Sequence, residues 1–303
     1  VSLSATIGSL TLANPVMTAA GTSGHGAELS AYVDLSSLGA VVVKSLAAQA
    51  WSGNPTPRVH PVAAGMLNSV GLQGDGVQTW LERDLPALEN NGARVVASIW
   101  GRTVGDYEKA AAMLAQASAS VIAVEVNISC PNLEDRNAMF AHSVTASADA
   151  VAAAACCGRP MWAKLSPNVA NLADIAAATI ASGAEAVTLV NTVLGLAIDT
   201  RTRRPVLGAV RGGMSGRAIH PIALRAIYDV REAFPDMPII GVGGVSDGES
   251  AVELLLAGAN AVQVGTATLA DPRAPARVLA GIERWCTREG ITSLDEIVSA
   301  AHR

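Results

Sequence analysis

The amino-acid sequence predicts an α/β protein built as a (β/α)8 TIM barrel, and three observations carry the prediction. The first is a recurring punctuation in which an amphipathic segment ends, Gly-Ala follows, and a β-branched run begins. It occurs at Leu38-Gly39-Ala40 before Val41-Val42-Val43, and at Asn91-Gly92-Ala93 before Val95-Val96. It returns at Ser182-Gly183-Ala184 before Val187-Thr188-Leu189-Val190, and at Ala257-Gly258-Ala259 before Val262-Gln263-Val264. Glycine after a helix permits a left-handed C-terminal cap, and the apolar run is what a parallel strand buried on both faces requires. The second observation is the count: eight candidate strands lie near 15–20, 40–45, 94–100, 121–128, 161–166, 186–191, 238–243 and 261–265. The third is that three long stretches all follow predicted strand C-termini, the face where barrels keep their sites. A doubly wound sheet with extra strands is the rival architecture for the same alternation.

Taken in order, the chain opens with Leu3, Ala5, Ile7 and Leu10, Leu12 alternating around Gly8-Ser9. That pattern predicts a β-hairpin capping the barrel end opposite the site. The long stretches are Ala47–Gly76, rich in Gly, Pro and Asn; Cys130–Ser143 after strand four; and Leu194–Ser215, which carries Arg201, Arg203 and Arg204. Helical periodicity places Leu172, Ile175, Thr179 and Ile180 on one face of Asn171–Ser182. It does the same for Val252, Leu255 and Leu256 within Gly248–Ala257. The 303 residues are expected to form one domain, 1–303.

Composition narrows the function classes. Half the residues are hydrophobic and 16% are charged, so a large core can be buried. A net charge of −5 offers no general attraction for nucleic acid or an anionic membrane. No stretch of about 18 apolar residues runs uninterrupted, and the uncharged start is broken by Ser2, Ser4, Thr6, Gly8, Ser9 and Asn14-Pro15. A cytoplasmic enzyme without a leader is the expectation. The cysteines at 130, 156, 157 and 286 show no CxxC spacing, which argues against a disulfide framework or a zinc site.

Polar side chains at the ends of buried strands call for a reason. Strand two ends in Lys44-Ser45, strand four in Asn127, strand five in Lys164 and strand six in Asn191-Thr192. Strand seven ends in Gly241-Val242-Gly243-Gly244 and strand eight in Gly265-Thr266. Glycine pairs let backbone N–H groups approach a phosphate where no Cβ intervenes. Gly243-Gly244 alone is an ordinary turn signal, and the adjacent Gly265-Thr266 tips the reading to phosphate. Lys44 and Lys164 follow apolar runs, which disfavours solvated surface positions. Asn68, Asn127, Asn132 and Asn191 suit a planar ligand with alternating C=O and N–H groups. Cys130 follows a strand end beside Pro131, a loop setting that could expose a thiolate. Cys156, Cys157 and Cys286 read as structural, and His25, His60, His142, His220 and His302 lack ligand spacing.

Asn-Ile-Ser-Cys-Pro-Asn at 127–132 resembles the active-site segment of class 1 dihydroorotate dehydrogenases. The likeness runs through most of the chain: Asn14–Met17, Lys44-Ser45, Met66–Leu72, Ala163–Asn168, Asn191-Thr192, Gly212–Gly216, Gly241–Gly244 and Val264–Thr266. The resemblance implies FMN as cofactor and oxidation of dihydroorotate to orotate, with Cys130 as the base for the C5 proton. It implies an FMN site lined by Ala20, Lys44, Ser45, Ser98, Asn127, Lys164, Val190, Gly216, Gly243, Gly244, Gly265 and Thr266. Substrate contacts would come from Lys44, Asn68, Ser69, Val70, Gly71, Leu72, Asn127, Asn132, Asn191 and Thr192. Leu133-Glu134-Asp135-Arg136-Asn137 looks like the NAD-linked type, which implies a homodimer joined in a heterotetramer by an electron-transfer subunit carrying FAD and an iron–sulfur cluster. Two departures stand out: Ser98 replaces a frequent Asn, and the loop after Asn132 lacks a familiar Gly-Gly. The alternatives are a flavin reductase similar to dihydropyrimidine dehydrogenase and a flavin-free, phosphate-binding barrel lyase or synthase.

Overall fold

A computed structural model describes residues 1–129 and 139–303. Eight parallel strands form its centre: β1 (Val16–Thr18), β2 (Val41–Val42), β3 (Val95–Ile99), β4 (Val121–Asn127), β5 (Met161–Lys164), β6 (Ala186–Leu189), β7 (Ile239–Val242) and β8 (Ala261–Val264). Their spatial order is β1-β8-β7-β6-β5-β4-β3-β2. The ring closes between β1 and β2, where Gly39 N donates to Val16 O at 2.8 Å and Thr18 N to Ala40 O at 3.4 Å. Sequential strands are neighbours throughout, with helices crossing outside, so the architecture is a (β/α)8 barrel and not the doubly wound alternative.

Both faces of each strand are covered, which is why the sequence runs read as continuous Val, Ile and Ala. The helices begin where side chains can satisfy their first N–H groups. Thr103 and Asp247 form capping boxes ahead of Val104–Leu114 and Gly248–Leu256. Ser143 and Asn171 accept from the third residue of Val144–Ala154 and Leu172–Ala181. Each such cap contributes about 1 kcal/mol.

The Gly-Ala punctuation has two physical causes rather than one. Gly92, Gly183 and Gly258 adopt positive φ after a helix, as a left-handed cap requires. Gly39 does not; a Cβ there would lie 2.3 Å from Asn14 O, so its job is to let the chain pass close beneath β1.

The opening hairpin pairs Ala5–Ile7 with Leu10–Leu12. Ser9 N donates to Glu185 at 2.8 Å, and Arg94 donates to Thr11 O at 3.0 Å. Both partners immediately precede barrel strands, so the hairpin seals the N-terminal end of the barrel.

Two of the long stretches contain strands of their own. Val59–Val62 and Gly65–Asn68 from the first join Val193–Gly195 and Gly212–Ser215 from the second in a four-stranded antiparallel sheet. This sheet stands over the C-terminal end of the barrel. A smaller hairpin pairs Ile198–Asp199 with Arg204–Pro205.

Candidate active site

The polar strand ends converge on one cavity of about 970 Å³ beneath the four-stranded sheet. Its floor is a hydrogen-bonded ladder of small polar groups. Ser45 and Ser98 share a hydroxyl bond of 2.8 Å, and Asn127 Nδ2 donates to Ser45 Oγ at 3.2 Å. Asn127 Oδ1 accepts from Ser129 N at 3.2 Å and from Asn191 Nδ2 at 3.3 Å. Tyr107, on the helix behind, donates to Asn127 O at 2.8 Å. The Asn127 amide is thereby oriented by Ser45, Ser129 and Asn191, and its backbone carbonyl by Tyr107.

Lys164 ends β5 and lines the cavity while 5% exposed. Its ammonium lies 3.4 Å from Glu125 Oε1 and 3.1 Å from Gln263 Oε1, and Gln263 Nε2 donates to Glu125 Oε2 at 2.8 Å. Glu125 and Gln263 are fully buried within the barrel. Sequence reasoning passed over both, although a carboxylate within Val121–Asn127 and an amide between Val262 and Val264 were visible signals.

The roof is assembled from the sheet. Asn68 donates to Gly213 O at 3.3 Å, and Ser69 Oγ accepts from Asn54 Nδ2 at 2.8 Å. A Cβ on Gly71 would meet Asn54 at 2.5 Å. Asn168 donates to Thr192 O at 3.0 Å and accepts from Leu194 N at 2.9 Å, which fixes the turn carrying Asn191-Thr192.

At the far end, Gly243 and Gly244 take φ of +140° and +71°. Side chains there would collide with Ala223 and His220, each at 2.6 Å. His220 Nδ1 lies 2.9 Å from Gly243 O and its Nε2 2.8 Å from Glu253, so the histidine braces this turn in a structural role. Gly216, Gly265 and Thr266 complete the same end, with Thr266 Oγ1 bonded to Ser215 Oγ at 2.8 Å. Arg217 and Arg277 stand on the rim.

Ala20, Lys44, Ser45, Asn127, Lys164, Val190, Gly216, Gly243, Gly244, Gly265 and Thr266 all line this cavity, as do Asn68, Ser69, Val70, Gly71, Leu72, Asn191 and Thr192. Ser98 does not; it is fully buried and reaches the cavity only through Ser45. Cys130 and Asn132 lie outside the described residues, one and three positions beyond Ser129, which lines the wall.

Three other thiols can be set aside as bases. Burial pushes Cys157 and Cys286 up, and partial desolvation followed by Glu108 does the same for Cys156. Burial, then Lys44, holds His25 below the usual histidine range, so it stays neutral near the site at neutral pH. Among the described residues no group of three His, Cys, Asp or Glu could hold a metal, and no helix is long and apolar enough to cross a membrane.

The family model for dihydroorotate dehydrogenase matches residues 2–285. The chain belongs to the dihydroorotate dehydrogenase family. It is 46% identical to a dihydroorotate dehydrogenase B (NAD(+)) catalytic subunit of Alkaliphilus oremlandii, covering 96% of each chain. Identity is 45% to the protein of that name from Alkaliphilus metalliredigens, over 98% of each. The corresponding subunit of Desulforamulus reducens is 43% identical over 100% of this chain and 99% of its own. The protein is therefore a dihydroorotate-oxidising enzyme of pyrimidine biosynthesis, and this family implies a flavin.

The cavity suits a flavin on three counts. Gly243 and Gly244 hold the cavity's end in a positive-φ turn pressed against Ala223 and His220, which leaves their backbone bare toward the cavity. Ser129 Oγ is buried without a partner among the described residues. Lys164 lines the cavity as a cation that can offset negative charge on a reduced ring.

Proposed function

We propose that the chain, as one unit spanning 1–303, holds FMN in this cavity and oxidises dihydroorotate with Cys130 as base. The observation that carries the reading is convergence: two lysines, two asparagines and two glycine-rich turns, from six different strand ends, line a single cavity. When bound, the flavin supplies a two-electron acceptor for the hydride that leaves C6 of dihydroorotate.

The chain's own residues do the rest. Gly216, Gly243, Gly244, Gly265 and Thr266 hold the phosphate with backbone and hydroxyl donors. Ala20, Val190 and Ser45 line the ring's bed, supported from behind by Ser98. Lys164 presents a cation to the pyrimidine edge of the cofactor, where negative charge accumulates on reduction. Lys44 and the backbone of Asn68–Leu72 orient the substrate carboxylate, while Asn127, Asn132, Asn191 and Thr192 bond its ring amides. Cys130 takes the proton from C5 as the C5–C6 double bond forms, so proton and hydride leave by separate routes. A general base contributes about 10²–10⁴-fold to such a step.

The electrons go to NAD through a second subunit that carries FAD and an iron–sulfur cluster, in a heterotetramer built on a homodimer of this chain. The relatives' names, which specify NAD(+) and a catalytic subunit, support this part. Two tests are direct. Heat-released cofactor should be FMN; FAD, or no flavin at all, would refute the cofactor assignment. The isolated chain should reduce an artificial dye readily and NAD poorly, and efficient NAD reduction by this chain alone would remove the partner.

A further inference from the structure

The interior of a (β/α)8 barrel is normally filled by layers of branched apolar side chains. Here a carboxylate, an amide and an ammonium meet inside it. Glu125 and Gln263 are fully buried, and the Lys164 side chain is 6% exposed. The three come from β4, β8 and β5, and β8 is separated from β5 by two intervening strands, so Gln263 reaches across the barrel. A buried ion pair is a poor device for stability alone, because apolar side chains of equal volume usually do as well or better. Its presence directly behind a cavity-lining lysine therefore calls for a functional reason.

The bonding pattern supplies one. Glu125 accepts from Gln263 at 2.8 Å, which leaves the amide oxygen of Gln263 facing Lys164 at 3.1 Å. With Glu125 Oε1 at 3.4 Å, two of the three ammonium N–H groups point into the barrel. We infer that Glu125 and Gln263 are positioning residues that act through Lys164. They fix where its ammonium sits, and the carboxylate offsets its charge, so together they set how strongly the site favours the reduced cofactor. This inference rests on the flavin reading above.

Exchanging amide and carboxylate separates charge from packing, since Glu and Gln have the same shape. Glu125→Gln leaves the lysine's charge uncompensated. It should shift the bound flavin's reduction equilibrium about tenfold toward the reduced form, close to 30 mV for a two-electron couple. Gln263→Glu sets a second carboxyl about 2.8 Å from the first, where the two share one proton and carry a single charge, so it should stay within about threefold of wild type. The double exchange Glu125→Gln with Gln263→Glu keeps one carboxylate and one amide, and should return within about threefold of wild type.

Spectroelectrochemical titration of the four flavin-loaded proteins, with thermal melts of each, reads these outcomes. Lower melting temperatures with potentials that stay together would reduce the triad to core support and overturn the inference. If Glu125→Gln fails to fold, Glu125→Asp takes its place: it keeps the charge but draws it back from the ammonium, so a smaller shift toward the reduced form is expected, and a potential equal to wild type would overturn the inference. A wild-type protein that binds no flavin would overturn the reading beneath the inference, and the inference with it.

Discussion

The two ends of the barrel are made of the same eight strands yet obey opposite rules. At the N-terminal end the strands are met by the hairpin Ala5–Ile7 and Leu10–Leu12, with Ile7 and Leu12 fully buried. The capping groups Ser293 and Glu296 tie off the chain nearby, where Ser2 N bonds Thr292 O at 2.8 Å. At the C-terminal end the strands finish in lysine, asparagine and glycine around a cavity, under a sheet in which Val59, Leu194 and neighbouring Ile198 are exposed. One end satisfies the chain by covering apolar surface. The other gathers polar groups around a cavity. The comparison teaches that stability and chemistry are separated along the strand axis, as barrel geometry permits.

That separation can be broken or sharpened by substitution. The largest effect is expected at the proposed base: Cys130→Ala should cut dihydroorotate turnover about 10²–10⁴-fold while flavin content and melting temperature stay near wild type. Steady-state assays with a dye acceptor would check it, and near-normal turnover would free Cys130 of its role. Next comes the closed end. Leu12→Ala should cost about 2–5 kcal/mol of unfolding free energy in denaturant titrations, with kcat and KM of the folded fraction unchanged. A large change in KM instead would mean that the two ends communicate.

Asn127→Ala, at the mouth, has a smaller effect. It strands hydrogen-bond partners on Ser45 and Asn191, a cost of about 1–3 kcal/mol. Loss of its own contacts in the cavity should cut kcat/KM as well, by about fivefold to 150-fold if the barrier rises by a similar amount. An equal loss in stability with no kinetic change would contradict its assignment to the site. The smallest effect is at the closed end. Side-chain bonding from Thr292, then the backbone N–H groups of Thr292 and Ser293, hold the Glu296 carboxyl below the usual range. A carboxylate lowered in the folded state stabilises it above the unfolded value of about 4.3 and loses that contribution as pH falls through the folded value. Glu296→Gln should therefore be less stable than wild type at neutral pH, and the gap should close in acid. A gap that persists at low pH would assign the effect to packing.

The same contrast explains what could be read from the chain. The barrel strands were legible because each is a local apolar run, four of them announced by Gly-Ala, and the hairpin because its alternation spans eight residues, Ala5 to Leu12. The mouth was legible wherever a polar residue broke such a run at its end, as at Lys44, Asn127, Lys164 and Asn191. The sheet over the mouth was not, since its strands are short, carry Pro61, Gly65, Gly212 and Gly213, and pair across 145 residues at Asn68 and Gly213. Glu125 and Gln263 were missed for a different reason. Each sits inside its apolar run rather than at the end, and only the barrel's curvature brings the two within 2.8 Å of each other.

The central claim is that the open end holds a flavin which dihydroorotate reduces. Anaerobic mixing of the purified protein with dihydroorotate, followed through the flavin's visible absorbance, tests it most directly. The account predicts rapid bleaching by one equivalent of substrate per bound flavin. A colourless protein, or a flavin spectrum that dihydroorotate leaves unmoved, would contradict it.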